Sequence, residues 1–163
     1  MPIDPQACLS VDPDIDLHIR GQRRELTGGH GAVLAVIALG GALGALARYG
    51  LLLAWPVPAG GFPWAVFAIN VAGSFLLGVL MVVITEIRPV HPLVRPFLGV
   101  GVLGGFTTFS TYAEDIRALL DPGTVLIAAV YLIATLVAAL VATTVALLLT
   151  RAAARFARVE VAS

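Results

Sequence analysis

The chain has 163 residues, of which 59% are hydrophobic and 12% are charged, a composition that excludes an ordinary soluble domain. All ten cations are arginine and the formal net charge is zero, so the basic surface of a nucleic-acid-binding protein is also excluded. Residues 1–31 contain five carboxylates and no apolar core. We predict that they form a polar, disordered extension and not a signal peptide.

Four apolar stretches follow, and each is long enough to cross a hydrocarbon core of about 30 Å. They run over about residues 32–54, 64–87, 96–120 and 123–150. The connections between them are short and rich in turn residues, which makes neighbouring helices antiparallel. The sequence therefore predicts an all-α membrane protein, with a four-helix transmembrane domain over residues 32–150 and a short tail over residues 151–163.

Arginine is distributed unevenly about these four spans. The side that would hold both termini and the second loop carries eight arginines, namely Arg20, Arg23, Arg24, Arg88, Arg95, Arg151, Arg155 and Arg158. The loops on the other side carry none, because Arg48 and Arg117 lie near helix ends. By the positive-inside rule, both termini are predicted to be cytoplasmic.

The third span contains an unusual polar segment over residues 101–112. It combines three glycines and three aromatic rings with four hydroxyls, those of Thr107, Thr108, Ser110 and Thr111. If the span begins just after Pro96, Thr107 lies about 15 Å along it, close to the bilayer midplane. Polar, glycine-loosened backbone at that depth is tolerated only where it is buried in protein or lines a wet cavity. We predict a third helix broken near the midplane after Gly104 and Gly105, with freed carbonyls suited to a hard cation such as Na⁺.

The other polar residues within the spans each have two interpretations. The Asn70 amide, about 10 Å into the second span, either joins helices or solvates a ligand, and Ser74 one turn on favours a polar track. Arg48, about 24 Å into the first span, either snorkels to the far interface or attracts anions at a vestibule. In the fourth span, Tyr131 is either an interfacial belt residue or part of a polar face with Thr135.

The sequence lacks the residue patterns that are typical of proton-coupled carriers and of enzymes. The apolar cores of the first, second and fourth spans contain no carboxylate, although proton-coupled carriers usually place an acidic group deep in the membrane. The three histidines lie in tails or loops, and no nucleophile accompanies a general base. We predict that the chain is not an enzyme.

Three stretches carry a resemblance to a known family. They run from Gly40 to Tyr49, from Asn70 to Gly78 and from Gly104 to Tyr112. At these residues the chain resembles the CrcB/Fluc family of fluoride channels, small four-helix membrane proteins that export F⁻ passively. The resemblance spans residues 32–150 and implies a multi-pass protein of the cell inner (plasma) membrane that relieves fluoride toxicity. It also implies an antiparallel, dual-topology dimer with two narrow pores and a structural Na⁺ at its centre.

The resemblance further implies roles for individual residues. Main-chain carbonyls of Gly104 and Thr107 from each subunit would hold the Na⁺. The fluoride pore would be formed by a set of polar and aromatic side chains, those of Asn70, Phe109, Ser110, Thr111, Tyr112, Tyr131 and Thr135. Arg48 would stand at a vestibule.

Two departures from the family pattern leave alternatives open. The second aromatic residue of the Phe-Ser-Thr-Phe pattern is Tyr112 here, and its added hydroxyl would either donate to F⁻ or slow its passage. The arginine bias disfavours insertion of one chain in both orientations. We therefore expect a heterodimer with an oppositely oriented paralogue, or a homodimer with inefficient dual insertion. The rival functions are a small four-helix drug or cation antiporter and a non-conducting subunit of a heterodimeric channel.

Overall fold

The computed structural model describes residues 31–87 and 90–162, with side chains as far as residue 156. The N-terminal extension predicted over residues 1–31 therefore lies outside the described residues, except for Gly31. Within the described ranges, all regular secondary structure is helical, as the sequence predicts.

Three helices in the described part are long and apolar enough to cross a membrane. Helix α1 runs over Gly31–Ala54, and helix α2 runs over Trp64–Val82 and continues as a π-helical turn over Val83–Ile87. Helix α5 runs over Val125–Ala162, of which Val125–Phe156 forms the third candidate span. The chain is therefore a multi-pass membrane protein.

The third predicted span is divided between two shorter helices. Helix α3 is wound as a π-helix over Arg95–Leu103 and ends with an α-helical turn over Gly104–Phe106. Helix α4 covers Ser110–Ala118, and the residues between the two helices are not helical. The break predicted directly after Gly104 and Gly105 is present, and it covers residues 107–109. A fourth membrane crossing, formed by α3 and α4 together, stays a prediction.

Helix α5 is longer than the sequence analysis predicts. Its 38 residues extend about 57 Å at the usual helical rise, well beyond a hydrocarbon core of about 30 Å. The twelve residues after Thr150 were predicted to form a short tail, but they continue the helix as far as Ala162. Alanine and arginine are strong helix formers and dominate the first part of this extension, which explains why it stays helical.

Helices α1 and α3 approach each other through glycine, and we call this contact the glycine seam (Gly40, Gly41, Gly44, Gly101 and Gly105). A Cβ atom on Gly101 would lie 2.9 Å from the Gly40 Cα, and one on Gly105 would lie 2.9 Å from the Gly41 Cα. Real Cβ atoms do not come so close to a backbone, so only glycine permits this approach. The glycine pairs at four-residue spacing thus serve packing within one chain.

The remaining core lies mainly between α2 and α5. Small and branched side chains fill it, including Ala65, Val66, Ile69 and Val82 of α2 and Ala128 and Ala146 of α5. The loop that joins α1 to α2 turns at Gly60, whose φ of 71° is readily adopted only by glycine. This loop returns the chain antiparallel, so that the middle of α2 lies beside the break between α3 and α4.

Candidate functional site: a polar groove at the helix break

A groove of about 380 Å³ opens beside the break in the third predicted span. Several elements contribute polar or aromatic side chains to its wall, including Asn70, Ser74, Thr107, Thr108, Phe109, Tyr112 and Thr135. Gly104 also lines it. The structure therefore brings together six residues that the sequence analysis assigns to the pore or the cation site, namely Asn70, Gly104, Thr107, Phe109, Tyr112 and Thr135.

Asn70 holds the broken backbone in place. Its Nδ2 donates to the Thr108 carbonyl oxygen at 3.0 Å, and the Thr108 N–H donates to Asn70 Oδ1 at 2.9 Å. In an unbroken helix the Thr108 N–H would donate to the Gly104 carbonyl instead. The amide thus satisfies a donor and an acceptor that the break leaves without helical partners. Both interpretations of Asn70 are compatible with this geometry, because the second Nδ2 hydrogen is not used in these bonds.

The Thr108 hydroxyl organises the other hydroxyls around it. Its Oγ1 donates to Thr111 Oγ1 at 3.1 Å, accepts from the Thr111 N–H at 3.2 Å and lies 3.3 Å from Ser110 Oγ. The acceptor role satisfies a free N–H in the first turn of α4, as capping hydroxyls do. Ser110 and Thr111 do not line the groove, and the structure connects them to it through Thr108.

Thr108 is a site residue that the sequence analysis did not assign to the pore. The available signal was the position of Thr108 just before a predicted helix start, because hydroxyls at such positions often accept a hydrogen bond from a backbone N–H of the first turn. Thr107 behaves differently, because its hydroxyl donates to the Leu103 carbonyl four residues earlier at 2.9 Å. Such a bond bends a helix without creating a site. The Thr107 backbone, with φ −74° and ψ 157°, is where the helical path ends.

Three aromatic rings follow one another from the mouth of the groove into the protein. Phe109 is 80% exposed, and its ring centroid lies 6.0 Å from that of Tyr112. The Tyr112 ring lies 5.1 Å from that of Tyr131, which is completely buried. Tyr131, predicted to line the pore, is therefore behind Tyr112 and is not among the lining residues of the groove.

Tyr131 is enclosed by residues that the sequence analysis did not assign to the site. Its hydroxyl donates to Asp115 Oδ2 at 3.2 Å, and its ring meets the Phe62 ring edge-on at 5.2 Å. Phe62 lies in the loop before α2, and no periodic pattern in the sequence relates it to α5. Asp115 lies near the end of the third predicted span and was not among the predicted site residues.

Two polar atoms in the described part of the chain are buried without a hydrogen-bond partner. One is Thr135 Oγ1, on a residue only 5% exposed that lines the groove. The other is Arg48 Nε, on a half-buried side chain that is not among the lining residues. An unpaired buried hydroxyl costs free energy, so Thr135 is suited to meet a ligand that enters the groove.

Fold and groove together define a multi-pass helical membrane protein with a polar path beside a broken helix. Residues 35–147 match the family model described as "CrcB-like protein, Camphor Resistance (CrcB)". The chain is 54% identical over 125 residues to "Fluoride-specific ion channel FluC 2" of Streptomyces avermitilis, across 77% of this chain and 79% of that protein. It is 61% identical over 110 residues to "Fluoride-specific ion channel FluC 1" of Streptomyces coelicolor, across 68% and 71% respectively.

A further relative comes from the same Streptomyces avermitilis strain. "Fluoride-specific ion channel FluC 3" is 50% identical over 121 residues, across 74% of this chain and 59% of that protein. The chain belongs to the CrcB-like family, and the resemblance seen in its three motifs is confirmed. The prediction that it is not an enzyme is also confirmed, because these relatives are named as ion channels.

Proposed function

We propose that the chain is a passive, fluoride-selective channel of the plasma membrane that exports F⁻ from the cytoplasm and so relieves fluoride toxicity. The observation that carries the proposal is the groove, where hydrogen-bond donors and aromatic rings border a small space at a broken helix. The names of the relatives support fluoride as the ion.

The groove offers what a desolvated fluoride ion requires. Fluoride is small and strongly hydrated, so a pore has to replace its water with donors while binding it weakly enough for exit. The Thr135 hydroxyl has no other partner among the described residues, and Asn70 retains one amide hydrogen. The edges of the Phe109 and Tyr112 rings carry partial positive charge and provide further contacts for an anion.

Passive flow is sufficient for export. HF crosses membranes as a neutral molecule and ionises inside the cell, which leaves the anion trapped there. A negative interior drives the anion outward by about 2.3 kcal/mol per charge for each 100 mV. Neither ATP nor a proton gradient is needed in this scheme.

We propose that the channel is an antiparallel dimer with two pores. The groove is open along the surface of the single chain, and the Phe109 ring stands 80% exposed at its mouth. A second subunit laid across this face would close the groove into a narrow path and cover the ring. Ser110 and Thr111 would then contribute through their bonds with Thr108, Tyr131 would support the Tyr112 ring from behind, and Arg48 would stand at a vestibule outside the groove.

We further propose that a structural Na⁺ is held by the main-chain carbonyls of Gly104 and Thr107. The Thr108 N–H donates to Asn70 and not to the Gly104 carbonyl. Thr107 itself has an extended backbone at the end of the helix, so its carbonyl does not point along a helix axis. Freed carbonyls of this kind are suitable ligands for a hard cation. When bound, Na⁺ would supply fixed positive charge and tie the two subunits together. Replacing Na⁺ by N-methylglucamine on both sides of a vesicle is expected to abolish dimerisation in a crosslinking assay.

The arginine bias supports a proposal for the second subunit. One strain of Streptomyces avermitilis has both a FluC 2 and a FluC 3, so paralogues occur together among the relatives. We propose that this chain inserts mainly with its termini in the cytoplasm and pairs with an oppositely oriented paralogue. A reporter fused to the C-terminus is expected to be cytoplasmic in most molecules. Equal cytoplasmic and external populations would show a dual-topology homodimer instead.

The experiment that tests the proposed function is fluoride efflux from liposomes that contain this chain, alone or with a paralogue. Rapid passive loss of F⁻ with retention of Cl⁻ is the expected result, and Phe109→Ile, which removes the ring edge but keeps an apolar side chain, is expected to slow it. Proton-dependent cation exchange would instead identify an antiporter. Flux only in the presence of the paralogue, unaltered by Phe109→Ile, would identify a non-conducting subunit.

A further inference from the structure

Two tyrosines on facing helices each donate a hydrogen bond to the other helix. Tyr112 belongs to α4, and its hydroxyl donates to the Leu132 carbonyl oxygen of α5 at 2.6 Å. Tyr131 belongs to α5, and its hydroxyl donates to Asp115 Oδ2 of α4 at 3.2 Å. The two rings lie 5.1 Å apart, between their respective bonds.

We propose that these residues form a tyrosine clamp (Tyr112 and Tyr131 with their acceptors Leu132 and Asp115) that fixes α4 against α5. In this arrangement the Tyr112 hydroxyl is a positioning group and not a ligand of the permeating anion. The part of the inference that concerns the anion rests on the proposed function, whereas the clamp itself does not.

Helix α4 is short and depends on contacts with its neighbours for its position. Helix α4 has nine residues and is about 14 Å long, too short to cross a hydrocarbon core by itself, so its position depends on contacts with neighbouring helices. It begins immediately after the break and ends at Ala118, shortly before the turn at Asp121 and Pro122. The Thr108 hydroxyl accepts from the Thr111 N–H in its first turn, while the clamp attaches its face to the long helix α5.

The hydrogen-bonding capacity of a phenol decides what Tyr112 can do for an anion. A phenol has one proton, and the Tyr112 proton is directed to Leu132 at a distance typical of a well-formed O–H···O bond. The hydroxyl presents only lone pairs in any other direction, and lone pairs repel an anion. The ring edge is therefore the part of Tyr112 that suits F⁻.

The bond to Leu132 also fixes where that ring edge lies. The Tyr112 ring is held between Phe109, at 6.0 Å, and Tyr131, at 5.1 Å. A phenylalanine at position 112 would keep both ring contacts but would rotate about its side-chain torsions without the tether. Tyrosine here thus adds a fixed orientation to the same aromatic surface.

The first test measures the hydrogen bond of Tyr112 in the intact protein. The tyrosine Raman doublet reports hydroxyl hydrogen bonding, and the contribution of Tyr112 is obtained by subtracting the spectrum of Tyr112→Phe. Vesicles are titrated with NaF, and with NaCl as the matched control. The clamp predicts a doublet that fluoride does not shift. A saturable shift with NaF and none with NaCl would show that the hydroxyl donates to the anion and would overturn the inference.

The second test measures the clamp as a mechanical tie. Tyr112→Phe and Tyr131→Phe are each expected to lower the thermal midpoint by about 2–4 °C, and the double variant by less than the sum, because both bonds hold the same helix. Tyr49→Phe is the matched control, since Tyr49 lies 61% exposed on α1. Tyr112→Phe with the same midpoint as Tyr49→Phe would contradict the clamp.

The two tests separate this inference from the proposed function. Thermal midpoints are measured in chloride and do not depend on fluoride transport. If the unaltered chain carries no fluoride but Tyr112→Phe is destabilised as expected, the clamp stands and the proposed function fails. If the chain carries fluoride and Tyr112→Phe melts like Tyr49→Phe, the clamp fails and the proposed function stands.

Discussion

Replacing Asn70 by aspartate tests the central feature of the groove with almost no change in shape. One carboxylate oxygen would still accept the Thr108 N–H, as Oδ1 does now at 2.9 Å. The other would replace the Nδ2 donor and face the Thr108 carbonyl oxygen at about the present 3.0 Å, acceptor against acceptor. A favourable bond would thus become a repulsive contact, and a negative charge would be introduced beside the proposed ion path.

The two effects have different magnitudes and are measured separately. Loss of the hydrogen bond, with the buried acceptor left unsatisfied, is expected to destabilise the protein by about 1–3 kcal/mol. A fluoride ion that comes within about 4 Å of the new charge would be repelled by about 4 kcal/mol at an effective dielectric constant near 20. Since about 1.4 kcal/mol corresponds to a tenfold change in rate, we expect fluoride efflux to fall by about 10³-fold.

The assay compares fluoride efflux from three variants, each reconstituted into vesicles prepared in the same way. Asn70→Ala removes both hydrogen bonds without adding charge, so its efflux is expected to lie between those of Asn70→Asp and the unaltered chain. Thr144→Ala is the control, because the Thr144 hydroxyl is exposed and bonds only within its own helix, to Leu140 at 2.9 Å. Efflux through Asn70→Asp at the unaltered rate, with an unaltered thermal midpoint, would refute the assignment of Asn70 to both the break and the ion path.

Two further predictions concern packing and surface charge. Gly105→Ala would place a Cβ 2.9 Å from the Gly41 Cα and is expected to destabilise the protein by about 1–3 kcal/mol in thermal melts. Gly50→Ala is the control, because its Cβ would meet nothing within 4 Å, and it is expected to be neutral or slightly stabilising. Arg151→Gln removes a bidentate ion pair with Glu86, in which Arg151 Nη2 lies 2.7 Å from Glu86 Oε1. Both side chains of this pair are more than 40% exposed. When both proteins are measured at high salt, Arg151→Gln is expected to have the same thermal midpoint as the unaltered chain, because salt screens exposed ion pairs. A large decrease in the midpoint of Arg151→Gln at high salt would contradict this reasoning.

The ends of the helices were largely predictable because apolar runs and turn residues mark them directly. The first span was predicted over residues 32–54 and lies over Gly31–Ala54, and the second was predicted over residues 64–87 and lies over Trp64–Ile87. The end of α5 was not predictable from hydropathy, which stops at the arginines although the helix continues. Helix propensity of the alanine-rich extension is the signal that would have extended it.

The cause of the break and the roles of single hydroxyls were harder to predict, because they depend on contacts distant in sequence. The break was expected directly after Gly104 and Gly105, where it lies, but the reason given was that glycine loosens the helix. The structure uses Gly105 for close packing on Gly41 instead, and the chain leaves the helix after Phe106, where Asn70 supplies replacement bonds. That exchange joins residues 38 positions apart, and local patterns do not reveal it.

The glycine seam joins main chain to main chain, so α1 and α3 have no side-chain torsions there through which to absorb a displacement. Helix α4 and the break before it are attached in another way, through side chains, by an amide and several hydroxyls. The chain thus holds α1 and α3 together through its main chain, and it holds α4 in place through side chains. Substitutions of side chains around the break are therefore expected to alter the groove without changing the distance between α1 and α3.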